Sequence, residues 1–381
     1  MSKRKVTTLA APGGKMAGRL VELGGMIYSS SINGLDPATG HFPTDDVQQV
    51  ETAFANLKRL MMQANVSTDE LGLVSVSIGD ASLVPKINMG WDGLFAGTSD
   101  RPAFKINEYA LPPGEAVQIQ IVGVRGQKRK RVEVPRLSPE QVFGVRVGDV
   151  VFSAPIDGTD PSTGKRSDDR KAQIRQAFHN MDTFVQQAGG AMADLIHVYL
   201  FIRGRGDQQD MLDVWLEEFP TDGDRPARKA IFDETIAREE KIIHLMCIAV
   251  IGKGKRRNME APGISKRHPA PMGCRIGDLV IASGVGGDDP SGKKKSREPN
   301  VCSMFALQNL RALLEGAGGG LADVGLISIT VNTYDDEAAI LEQWRKVFPD
   351  PNDEPARHLM AFGGRGSYPV QFHVMAALGH K

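Results

Sequence analysis

One pattern is written three times in this chain, and that bounds its fold more tightly than any other feature. The three tryptophans, Trp91, Trp215 and Trp344, are separated by 124 and then 129 residues. The same two intervals separate the prolines of "DRPAF" (100–104), "DRPAR" (224–228) and "DEPAR" (353–357). They also separate the turn segments "DPATG", "DPSTG" and "DPSG", which begin at Asp36, Asp160 and Asp289. Three independent markers in one register make an internal repeat. A period of about 125 residues exceeds any solenoid unit, so each copy is read as a domain with its own core. The joints are expected at two basic runs, "QKRKR" (127–131) and "KGKRR" (253–257). That places domains at 1–130, 131–257 and 258–381.

The second copy shows the plan of one repeat most clearly. "FGVRVGDVVFSAP" reads as two strands joined by a turn at Gly148 and Asp149. In "DPSTG" Asp and Pro start a turn and Gly closes it. A helix is expected over roughly 168–188, because Ile174, Phe178, Met181, Val185 and Ala188 recur at helical spacing. The first copy repeats the stripe as Val50, Phe54, Leu57, Met61 and Ala64, and the third as Leu307, Leu310, Leu314 and Ala317. Asn65, Gly189 and Gly318 follow, as residues that tolerate the left-handed turn ending a helix. Then come a buried strand, "LIHVYLFI" (195–202), a second helix carrying Trp215, and two strands expected to close the copy as a hairpin. Strands, helix, strand, helix, strands is an α+β sandwich of one sheet and two helices.

Composition narrows the function classes. Acidic and basic residues balance at 46 each, so no global field favours nucleic acid. The basic runs, including "GKKKSR" (292–297), carry no interleaved aromatic platform and read as solvated linkers. Cys247, Cys274 and Cys302 form no CxxC pair, which argues against a disulfide scaffold or a zinc site. Cys247 reads as an inert core thiol. No apolar run approaches membrane-spanning length, and the basic N-terminus lacks a signal peptide's apolar stretch. The expectation is a cytoplasmic protein without metal, cofactor, membrane or nucleic-acid partner.

The motif order resembles the Rid family of enamine/imine deaminases, also known as L-PSP endoribonucleases. The resemblance rests on Ser at the end of an early strand, then "DPxTG", helix, strand, helix and "PAR", and it covers all three copies. It implies three tandem chorismate-mutase-like domains, each a mixed sheet with two helices on one face. Family members are homotrimers with clefts between subunits, so three fused copies imply a pseudo-trimer that needs no obligate trimerisation.

The same resemblance implies site residues. The family's "PAR" arginine grips the carboxylate of a small imino or enamino acid, and Arg228 and Arg357 stand there. A surface ion pair is the competing reading for each. Phe104 in the first copy cannot bind a carboxylate, so that copy reads as degenerate. The family's last-strand glutamate falls, sixteen residues on, at His244 and His373, each in a His-x-Met pattern, and at Gln120. A histidine there could move a proton, or it could simply be a packed core group. Ser153, Ser283 and Gly284 match the family's cleft-lining Ser-Gly pair, with a tight turn as the alternative. The implied function is cofactor-independent hydrolysis of a small carboxylated C–N compound, held by Arg228 or Arg357 with His244 or His373 as acid/base. The alternative is a protein that binds or senses a small acid without reaction.

Overall fold

The computed structural model describes residues 4–97, 100–134, 143–261, 269–291, 296–361 and 369–378. The first repeat contains β1 (Lys5–Ala11), β2 (Lys15–Leu23), β3 (Met26–Ser29), β4 (Ile32–Asn33), β5 (Leu71–Ile78), β6 (Ala103–Glu108) and β7 (Val117–Val124). The second contains β8 (Arg129–Arg131), β9 (Gly144–Val147), β10 (Val150–Ser153), β11 (Ile156–Asp157), β12 (Leu195–Ile202), β13 (Ala227–Phe232) and β14 (Ile243–Val250). The third contains β15 (Arg257–Met259), β16 (Gly273–Ile276), β17 (Leu279–Ala282), β18 (Val285–Gly286), β19 (Val324–Val331), β20 (Ala356–Ala361) and β21 (Val370–Ala377). The helices pair as α1 (Asp46–Ala64) with α2 (Val84–Leu94), α3 (Arg170–Gln187) with α4 (Gln208–Glu218), and α5 (Pro299–Gly316) with α6 (Glu337–Val347).

Strand order is the same in every sheet: β1-β2-β3-β7-β5-β6 in the first, with the others in register. Each sheet is mixed, because β6, β13 and β20 run parallel to β5, β12 and β19. One expectation fails here. The last two strands of a copy do not form a hairpin, because β12 lies between β13 and β14, and β19 between β20 and β21. A parallel pair needs a long crossover, and α4 or α6 supplies it before the chain returns beside the preceding strand.

The long helices begin and end where local chemistry directs. Asp45 accepts the Val47 amide at the start of α1, and Asp169 accepts that of Ala172 at the start of α3. After the helices, Asn65, Gly189 and Gly318 take positive φ values of 52°, 89° and 84°. The predicted stripes face the sheet, with Ile174, Phe178 and Met181 fully buried and Leu57 and Leu310 equally so.

The three sheets close into a ring by their other faces. β5 packs on β9 and β10, β12 on β16 and β17, and β19 on β2 and β3. Their shared core includes Tyr28, Phe152 and Ile281, one from the same position of each repeat. Gly72 and Gly325 admit the two rings, since a Cβ at either glycine would overlap Phe152 or Tyr28. Ile196 stands at the matching position of β12, where the third repeat presents the smaller Ile281.

The two basic runs at the joints are mostly exposed, as a solvated linker would be, but one arginine of each is not. Arg129 and Arg256 have side chains only 1% and 2% exposed. Arg129 donates to the carbonyls of Thr68, Leu71 and Asp100 in the first repeat. Arg256 does the same to Met192, Leu195 and Asp224 in the second. Arg4 stands at the matching place before β1 and reaches Leu321, Val324 and Asp353 in the third. The runs open new edge strands, and their guanidinium forks satisfy carbonyls that the preceding repeat leaves at its loop ends. Of the third run, residues 292–295 lie outside the described residues.

Candidate active site

Phe104, Arg228 and Arg357 occupy one position in their repeats, paired with Val74, Val198 and Ile327 of the adjacent strands. Each covers the tryptophan of its own repeat. Phe104 stacks on Trp91 with centroids 4.0 Å apart and planes at 25°. The guanidinium carbons of Arg228 and Arg357 lie 4.9 Å and 5.5 Å from the ring centroids of Trp215 and Trp344. The first copy's phenylalanine therefore keeps the aromatic contact while giving up the charge.

The backbone of each arginine touches the next repeat in the ring. The Arg228 amide donates to Ser283 Oγ at 3.0 Å, and Ser283 in turn donates to the Pro271 carbonyl. The Ser31 amide donates to the Arg357 carbonyl at 3.3 Å. Gly284 beside Ser283 leaves room for Gln371, whose side-chain nitrogen would sit 2.7 Å from a Cβ there. Ser153 does something different. It lies one residue before the Ser283 position, fully buried, and accepts the Cys247 amide at 2.7 Å inside its own sheet. Ser29 does the same for Ile121.

The two arginines differ in their surroundings. Arg228 is 8% exposed, and among the described residues no carboxylate pairs with its guanidinium. Burial pulls it down to about 10, and the nearby Arg225 charge adds to this. Arg357 has Glu337 at 3.6 Å. Burial lowers it too, while Glu337 and Glu354 act in the opposite sense.

The register does not bring the histidines to these arginines. His373 pairs with Ser328, Met246 with Tyr199 and Gln120 with Ser75, so these three share one position. His244 pairs with Phe201 and matches Gln118 and Gln371. The second copy carries two extra residues between its last strands, so an equal count along the chain lands two residues apart on the strand. Side chains alternate along a strand, so Arg228 lies with Val198 and Cys247 on the helix-covered face. His244 and Met246 take the ring-side face, the face that places Ile248 in the ring core. His373 is buried there too, its Nε2 2.8 Å from Nε2 of His197 in the second repeat. Burial, the His197 ring and the Lys229 charge hold it well below the ordinary histidine range.

What faces Arg357 instead comes from the first repeat, the copy that sequence reading sets aside. Ser31 Oγ lies 3.3 Å from Gln118 Oε1, and Gln118 Nε2 donates to Glu115 at 2.8 Å. Asn33 also donates to Glu115, at 3.3 Å. Burial raises the Glu115 carboxyl to about 7 against these two hydrogen bonds, and the charge of Glu337 from the third repeat raises it further. His358 closes the group, its Nε2 3.2 Å from Gln118 Oε1. A guanidinium for an anion and a carboxyl able to trade a proton near neutral pH thus stand on two sides of one boundary. In the second repeat the Glu115 position is Lys241, tied to Asp157 at 3.0 Å. Glu115 carries no motif signal, and only the folded ring shows that it lies within reach of the third repeat's Glu337 charge.

Among the described residues no group of three or more His, Cys, Asp and Glu is arranged to hold a metal ion, and no helix is long and apolar enough to cross a membrane.

Residues 137–250 match the family model described as Endoribonuclease L-PSP. A RutC family protein of Aquifex aeolicus is 26% identical over 106 residues, covering 28% of this chain and 85% of that one. The crystal structure of RidA from an Antarctic Psychrobacter is 26% identical over 32% of this chain and 98% of its own, with a TM-score of 0.28. The crystal structure of a chorismatase covers 82% of this chain and 94% of its own at a TM-score of 0.56 and 14% identity. That last likeness, one of fold, runs through the three sheets together.

Proposed function

Because the chain is a tandem array of Rid-like repeats, we propose that it hydrolyses a small carboxylated imine or enamine where its third repeat meets its first. Arg357 takes the substrate carboxylate, displacing the loose contact with Glu337. Glu115, as carboxylate, accepts a proton from a water whose oxygen attacks the C=N carbon. That proton goes to nitrogen to give a carbinolamine; Glu115 then moves the hydroxyl proton to the amino group, the C–N bond breaks as C=O forms, and ammonia and a 2-oxo acid leave. An enamine first takes a proton at carbon to become the imine. Gln118 and Ser31 orient the water. The observation that carries this reading is the chain of hydrogen bonds from Glu115 through Gln118 and Ser31 of the first repeat to the Arg357 backbone carbonyl of the third.

The test is ammonia release from small 2-imino acids made in place by an amino-acid oxidase. Arg357→Ala and Glu115→Gln should each lower turnover on the order of a hundredfold, with Arg228→Ala close to wild type. Unchanged turnover in both of the first two variants rejects the assignment.

A second reading applies to the Arg228 cleft. Among the described residues its buried guanidinium meets no carboxylate, and the side chain beside Gly284 at that seam is Gln371. That cleft suits binding of a small acid without turnover. Calorimetric titration with pyruvate should show a site lost in Arg228→Ala, at a cost on the order of 2 kcal/mol or more. Titration curves that coincide would remove Arg228 from binding.

A further inference from the structure

A cavity of about 640 Å³ lies at the centre of the ring, with walls from all three repeats; of the groups placed around Arg357 only His358 lines it, and neither arginine does. Lys229 of β13 lines it. It follows Arg228 in the strand and so faces the opposite way, toward the ring. Its side chain is largely buried, and Nζ donates to Thr330 Oγ1 at 3.2 Å. Among the described residues no carboxylate pairs with it. The matching lysine of the first repeat, Lys105, is differently placed: its Nζ lies 3.3 Å from Asp233 and 4.2 Å from the Phe201 ring centroid. The third repeat has His358 at that position.

Burial without a counter-charge lowers Lys229 to about 8. The groups around it do not restore the proton. His358 is brought to about 4 and His197 to about 3 by burial, with the Lys229 charge adding to each, and His373 is lowered in the same way. Tyr199, the neighbour of Lys229 on β12, is kept a neutral phenol by burial. The wall therefore holds one amine that gives up its proton near pH 8, beside the ion-paired Lys105, neutral imidazoles, a phenolic proton and open volume. The lining reaches the surface at Arg238 and Glu108, which pair at 2.7 Å with Arg238 exposed.

We propose that Lys229 is a carbonyl-capturing amine, forming an imine with a small aldehyde or 2-oxo acid that enters the central cavity. The Nζ lone pair attacks the carbonyl carbon, and one Nζ proton passes to the oxygen. The carbinolamine then loses its hydroxyl with the second Nζ proton as water, leaving C=N. Addition of water reverses the step, and no oxidant or reductant takes part. The inference does not depend on the reaction assigned to Arg357 and Glu115.

The test incubates the full chain with glyoxylate and sodium cyanoborohydride, which fixes an imine as a stable secondary amine, and maps the added mass by peptide analysis. At pH 7.5 an amine of pKa about 8 has a neutral fraction on the order of a hundred times that of an ordinary lysine. Lys229 should therefore label at least about tenfold faster than exposed Lys5 or ion-paired Lys105. Its rate should rise about tenfold per pH unit and level above pH 8, while exposed lysines keep rising past pH 10. Lys229→Arg, folded by circular dichroism, should lose that adduct alone. Labelling of exposed lysines ahead of Lys229, or of Lys229 only after unfolding in urea, overturns the proposal. The wild-type map decides the matter even if the variant does not fold.

Discussion

Glu115→Gln should stabilise the protein above neutral pH while lowering the proposed hydrolytic turnover. The native carboxyl holds its proton to about 7, and an unperturbed glutamate releases it near 4.5. Between those values the native state binds a proton that the unfolded chain has lost. The stability contributed by this group is therefore fully present below pH 4.5 and is lost as pH rises through 7. Each pKa unit is worth about 1.36 kcal/mol, so the wild type should lose about 3 kcal/mol across the window through this residue alone. Glutamine has nearly the same shape, still accepts from Gln118, and cannot ionise. Urea unfolding followed by tryptophan fluorescence at pH 5, 6, 7 and 8 isolates the effect as the difference between variant and wild type, since other titrating groups cancel. The difference should be small at pH 5 and favour the variant by up to about 3 kcal/mol at pH 8. A difference independent of pH, or a variant weaker than wild type at pH 8, would refute the argument that Glu115 ionises against its surroundings.

Three further outcomes follow from groups already placed. His197 is held far below an ordinary histidine by burial, so its contribution is present above pH 6.5 and is lost as pH falls toward 3; His197→Phe should flatten the acid limb of the stability curve. Burial pushes the Cys247 and Cys274 thiols up to about 12, so neither should react with a thiol reagent at pH 8 until the protein unfolds, as mass mapping would show. Phe104→Leu should cost on the order of 1 kcal/mol through loss of the Trp91 stack, read from the urea midpoint, without changing ammonia release.

The repeat, the helices and the buried tryptophans were legible from sequence because each rests on local pattern. Trp91, Trp215 and Trp344 mark the period, and the stripes through Phe54, Phe178 and Leu310 have the spacing of a helix seated on a sheet. Pairing between distant strands was not legible. Counting sixteen residues from Arg228 and Arg357 makes His244 and His373 look equivalent, yet two added residues before β14 offset them. Parity then turns both from the arginine of their own repeat. Glu115 escaped notice because Arg357, with which the proposed reaction joins it, lies 242 positions along the chain, and no periodicity encodes which repeat abuts which. The linker reading of Arg129 and Arg256 failed for a related reason. One arginine in an otherwise solvated run of cations looks like the rest until the carbonyls that accept its protons are in place.

The arginine clamps carry a consequence for how the molecule can be taken apart. Arg4, Arg129 and Arg256 grip the preceding repeat in the same way, yet only two of the three junctions are also crossed by the polypeptide. Covalent linkage is thus redundant with the contacts already present at each seam. The order in which the copies are written is one of three equivalent places to cut a circle. A circular permutant opened at the turn before Arg129 should assemble the same ring, with the Arg129 seam held by the clamp and packing alone.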